Sequence, residues 1–73
     1  MATQIVMDAP GDTRHEFDPA DVAAVAEAEN RFRELTGAGF TAAVRKADGR
    51  SELMRSFDPT AKETVFFPRL QGG

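Results

Sequence analysis

One segment limits the possible folds more than any other: a single long amphipathic stretch that opens at Asp18-Pro19-Ala20-Asp21 and closes at Gly37. Asp18 can accept the unpaired N–H groups of a first helical turn. Pro19 suits the first helical position, and Asp21 adds negative charge near the positive end of the helix dipole. Val22, Val25, Glu29, Phe32 and Thr36 then recur at helical spacing, and Ala26, Ala28 and Leu35 widen the stripe. Glu29 interrupts that stripe and is assigned to its edge. Glu27 with Arg31, and Glu29 with Arg33, form acid-first pairs four apart on the wetter side. Gly37 is expected to end the helix as a left-handed cap. The reading is a helix from Pro19 to Thr36, about 27 Å long. A helix with one apolar stripe needs one surface to cover it.

The flanking segments supply that surface. Thr3 to Met7 is short, β-branched and apolar enough for a strand. Asp8-Ala9-Pro10-Gly11-Asp12 is turn chemistry, and Thr13 to Phe17 returns as a second strand. His15, the only histidine, is expected on the solvent side of that strand, because no partner cluster accompanies it. After the helix, Phe40, Ala42 and Val44 alternate toward it, while Thr41, Ala43 and Arg45 face away. Asp48-Gly49 marks a hairpin turn into a fourth strand, Ser51 to Phe57. Asp58-Pro59 repeats the Asp-Pro start in a segment too short for more than one helical turn. Thr64 to Phe67 is the last strand, and Pro68 is expected to end its pairing. The order is ββαββ, a short helical turn, then β: an α+β chain with one helix on a mixed sheet. The first and last strands are expected to pair in parallel at its centre.

With 73 residues, the chain has room for one domain. Its 41% apolar content is too high for general disorder, and no segment reaches the apolar length of a membrane span. Nor does Met1-Ala2-Thr3-Gln4 open a secretory signal, so a cytoplasmic location is expected. Cysteine is absent, which excludes a disulfide, a thiolate metal site and a catalytic thiol. A net charge of −3 without a basic run argues against nucleic acid as the main partner. No Ser-His-Asp grouping or phosphate-binding glycine loop is present, and the acid pairs fit capping and a solvated helix face. Catalytic residues, metal and cofactor are therefore expected to be none. The chain reads as a monomeric substrate or carrier and not as an enzyme.

Beyond Pro68 the sequence is Arg69-Leu70-Gln71-Gly72-Gly73. A carboxylate carried on two glycines has no side chains around it, so it can thread a narrow channel. Residues 1–68 are read as the folded domain and 69–73 as a flexible tail. The element order resembles the β-grasp order of the ubiquitin-like superfamily. Asp48-Gly49-Arg50, the Leu-containing short strand, and the strand running into Arg69-Leu70-Gln71-Gly72-Gly73 are similar to the last third of ubiquitin. Glu63-Thr64-Val65-Phe66-Phe67-Pro68 with the final Gly-Gly also resembles the end of the molybdopterin-synthase sulfur carrier. Phe57-Asp58-Pro59 adds a likeness to small bacterial ubiquitin-like proteins found beside conjugation-type enzymes.

The resemblance implies a protein modifier. Gly73 would be adenylated by an ATP-dependent activating enzyme, passed by thioester to a conjugating enzyme and joined to an acceptor by an isopeptide bond. A deconjugating peptidase would reverse the step. Gly72 would keep the approach open, and Arg69, Leu70 and Gln71 would dock on the activating enzyme. Gln71 departs from the arginine of ubiquitin, and only Lys46 and Lys62 offer amines for chain building. The alternatives are a sulfur carrier with a C-terminal thiocarboxylate and a plain interaction module. Alternation in the last strand also sends Phe66 and Phe67 to opposite faces, leaving open which is exposed. The outward one, beside Ala43, would form an apolar patch for a partner.

Overall fold

The computed structural model describes residues 1–8 and 11–68. Five strands and one helix follow in the order β1 (Ala2–Asp8), β2 (Gly11–Phe17), α1 (Val22–Gly37), β3 (Phe40–Arg45), β4 (Ser51–Met54) and β5 (Glu63–Pro68). The strands form one mixed sheet in the order β2-β1-β5-β3-β4. β1 and β5 pair in parallel, as Ile5 with Val65 and Val6 with Phe66, and every other pairing is antiparallel. The helix covers one face. This is a β-grasp-like α+β arrangement, with β5 as the central strand.

Side-chain alternation divides the sheet. Ala2, Gln4, Thr64, Phe66 and Ala42 are buried on the helix side, and two apolar clusters lie there. Ala2, Phe17 and Ala28 make one, and Phe32, Ala42 and Phe66 make the other. Phe57 packs against both. Its ring lies 6.4 Å from Phe17 and 6.0 Å from Phe32, and Phe32 lies 5.8 Å from Phe66. Edge-on and tilted contacts of this kind add to the area that the rings remove from water.

The helix begins later than the sequence suggested. Asp18 Oδ1 accepts the Ala20 N–H, and the Asp18 carbonyl accepts the Asp21 N–H, both at 2.9 Å, so Asp18-Pro19 closes a separate turn. Asp21 is the N-cap instead, accepting from Ala23 at 3.1 Å and Ala24 at 3.3 Å. Val22 then falls in the first helical turn, 85% exposed, and is no part of the buried stripe. Ala26 is exposed as well. The covered stripe is Ala24, Val25, Ala28, Phe32 and Leu35. At the other end Gly37 is the last helical residue, and Ala38 caps the helix with right-handed dihedrals. The positive φ, +105°, belongs to Gly39.

Two further expectations shift. The fourth strand stops at Met54, because Phe57 turns inward to the rings of Phe17 and Phe32 instead of continuing the edge. The segment after Phe57 is one hydrogen-bonded turn, closed by Ala61 N–H on the Asp58 carbonyl at 3.2 Å. The Asp48-Gly49 turn forms as its chemistry requires. Gly49 has φ +88°, its N–H meets the Lys46 carbonyl at 3.0 Å, and Asp48 Oδ1 accepts the Arg50 N–H at 3.0 Å. Pro68 remains in register opposite Phe40, which extends β5 by one residue over the expected end.

Candidate functional site

The face of the sheet away from the helix carries an apolar row set by register. Ile5 lies beside Val65, Val65 beside Ala43, and Ala43 beside Leu53, so the row crosses β1, β5, β3 and β4. Arg14 on β2 stands opposite Ile5 at one end. Met7 and Phe67 share this face in the neighbouring row. The row on the other side is polar: Glu16 faces Thr3, Thr3 lies beside Glu63, and Arg45 Nε meets Glu63 Oε1 at 3.3 Å. A partner on this face would meet an apolar band with a charged border, the pattern of a small recognition surface.

Phe66 and Phe67 resolve into two roles in packing. Phe66 is completely buried, wedged on the helix side against Phe32 and Ala42. Phe67 is half-buried on the uncovered face, opposite Thr41. Ala43 shares that face but is itself buried. Its methyl group sits in the row between the larger Val65 and Leu53, below their level. The most exposed apolar groups there are Leu53 at 73% and Met7 at 42%. Sequence reading placed Ala43 and one Phe on this face but missed Ile5, Met7, Val65 and Leu53. The signal was present in the alternation Thr3, Ile5, Met7. Bringing it beside Val65 required the parallel β1–β5 register, which no local pattern encodes.

The last described strand is firmly held. β5 is bonded on both sides, to β1 and to β3, and Phe66 anchors it two residues before Pro68. Arg69, Leu70, Gln71, Gly72 and Gly73, the expected docking and reacting residues, lie outside the described residues, as do Ala9 and Pro10 of the first turn. A surface depression of about 440 Å³ lies at the opposite end of β5 and is rimmed by Lys46 and Lys62, the chain's two lysines.

Among the described residues, two titratable groups depart from their usual behaviour. Hydrogen bonds from the Thr60 hydroxyl at 2.6 Å and N–H at 2.9 Å hold the Asp58 carboxyl below its ordinary pKa. His15 is not the solvent-side residue expected. It is half-buried opposite Gln4, on the helix side of β2, and burial followed by the charge of Arg31 lowers its pKa. Arg31 also leaves the expected pairing with Glu27: its Nη1 donates to Gln4 Oε1 at 2.8 Å. Glu29 and Arg33 do pair, at 3.2 Å. Among the described residues no group of three or more acidic, histidine or cysteine side chains could hold a metal ion, and no helix is long and apolar enough to cross a membrane. Comparison with family models, with curated proteins and with solved structures yields no match.

Proposed function

We propose that the chain is a ubiquitin-like protein modifier whose reacting group is the acyl carbon of Gly73, in a polypeptide that ends there or is cut there. The observation that carries this reading is the placement of β5. The strand leading into Arg69-Leu70-Gln71-Gly72-Gly73 is the central strand of the sheet, held on both sides and anchored by Phe66. In this reading a short tail that leaves a fixed strand keeps its end within a limited reach of the domain. That lowers the ordering cost when an enzyme receives it. The uncovered face, with exposed Leu53 and Met7 and half-buried Val65 and Phe67 over buried Ile5, lies on the same strands and supplies a second contact surface for such an enzyme or for a receptor.

In this reading an activating enzyme joins the Gly73 carboxylate to the α-phosphate of ATP and releases pyrophosphate. A cysteine thiolate of the enzyme then displaces AMP, forming a thioester. An acceptor amine displaces the thiolate, and an isopeptide bond remains. The chain supplies the acyl group and the docking surface, while the chemistry belongs to its partners.

Intact-mass measurement after incubation with ATP and the activating enzyme encoded near this gene tests the reading. A thiol-sensitive adduct between the chain and the enzyme supports it. Gain of one sulfur in place of one oxygen would make the chain a sulfur carrier. Absence of both would leave the apolar face as its working surface and make it an interaction module.

A further inference from the structure

The helix and the sheet are tied by a polar link at their middle. Gln4, 1% exposed on β1, donates from Nε2 to the Ala28 carbonyl at 3.0 Å. Its Oε1 accepts from Arg31 Nη1 at 2.8 Å, so both ends of a buried amide are satisfied by α1. Such a group is costly to leave unpaired. His15 stands directly across the β1–β2 ladder from Gln4, on the same face of the sheet.

The charged surroundings of His15 are few. Gln4, uncharged, stands across from it on β1, and the Arg31 guanidinium that rests on Gln4 brings the charge of α1 near it. On its own strand Arg14 and Glu16 project to the opposite face, while Thr13 and Phe17 share its side. We propose that His15 is an acid-sensitive release for the Gln4–Arg31 link: with the imidazole neutral the guanidinium rests on Gln4, and protonation sets two cations side by side and drives Arg31 toward water. Gln4 Oε1 then loses its donor in a buried position, and the seam between β1 and the middle of α1 loosens.

The lowered pKa of His15 agrees with this arrangement and sets the sign of its effect. A histidine whose pKa is lower folded than unfolded binds more protons in the unfolded chain. Its contribution is therefore complete above the ordinary value near 6.5 and is lost as pH falls through the folded value. The device is independent of the tail chemistry and survives if that reading fails.

NMR titration of the full chain reads it directly, because His15 is the only histidine. The ring is expected to titrate below 6.5, to remain low in Arg31→Lys, and to rise in Arg31→Gln. Amide protection factors at residues 28–32 are expected to fall on acidification in the native chain and to change less in His15→Gln. A titration at or above 6.5, an unchanged value in Arg31→Gln, or equal acid loss of protection in His15→Gln would each overturn the proposal. The native titration decides it even if a variant fails to fold.

Discussion

Phe17 and Phe57 occupy the same position in two Phe-Asp-Pro segments, and their rings meet at 6.4 Å with planes tilted by 37°. The turns behind them match as well. In each, the aspartate Oδ1 accepts the N–H two residues on, Ala20 or Thr60, at 2.9 Å. In each, the aspartate carbonyl accepts the N–H three residues on. One turn leads into α1 and the other into β5. The ring contact therefore ties the start of the helix to the approach of the central strand.

Removing Phe57 should damage both clusters. Phe57→Ala is expected to cost about 2–4 kcal/mol, somewhat less than a fully buried ring because Phe57 is only half-buried. A double-mutant cycle with Phe17→Leu and Phe57→Leu should show a coupling of about 0.5–1.5 kcal/mol. Urea unfolding measures both quantities, and additive losses would mean that the rings do not support one another.

Phe66 and Phe67 should separate stability from recognition. Phe66→Ala is expected to cost about 3–5 kcal/mol, a large share of the stability of so small a domain. Phe67→Ala should cost less than about 1.5 kcal/mol and weaken binding to an activating enzyme or receptor. Paired unfolding and binding curves decide the matter; equal stability losses would remove Phe67 from the proposed surface.

Of the two aspartates before the helix, Asp21 should matter more to it. Asp21→Ala leaves the Ala23 and Ala24 N–H groups without their acceptor and should cost about 1 kcal/mol. Asp18→Ala removes one exposed turn contact and should cost less. Thermal melts of the two variants give the order, and the reverse order would return the cap to Asp18.

The Asp58 carboxyl should contribute to acid sensitivity. Its pKa is lower folded than unfolded, so its stabilisation is present above the ordinary carboxylate range and is lost as pH falls through the folded value. Because Asp58 is exposed, the effect should be small. Thr60→Val removes the hydroxyl bond, and Thr60→Val and native chains should converge in stability as pH falls through the folded value, with the native chain ahead at pH 7.

The tail prediction rests on the proposed chemistry. Gly72→Val widens the segment next to the reacting acyl group and restricts its backbone, so thioester formation should fall to background while the melting temperature stays unchanged. Arg69→Ala should slow activation without abolishing it, since a guanidinium there supplies charge and reach and not the reacting atom. Gel-shift thioester assays on both variants check the pair, and full activity of Gly72→Val would remove Gly73 from the mechanism.

What the sequence by itself determined is what local physics controls. Strand alternation, the Asp48-Gly49 turn and the existence of one amphipathic helix follow from side-chain period and from backbone freedom at single residues. With only one helix, a two-layer fold and a parallel β1–β5 pair follow as well. Tertiary structure decided whatever depended on competition between equivalent local choices. Asp18 and Asp21 both suit a cap, and the turn that Asp18 closes left the position to Asp21. Phe57 suits a strand, yet the space between Phe17 and Phe32 drew it inward and shortened β4. Arg31 has an acid four residues before it, but the buried Gln4 needed a donor more than an exposed pair needed a cation. The apolar row of the open face was decided in the same way. Its members are scattered over four strands, and only the registers set by burial on the opposite face bring Ile5, Val65, Ala43 and Leu53 into line.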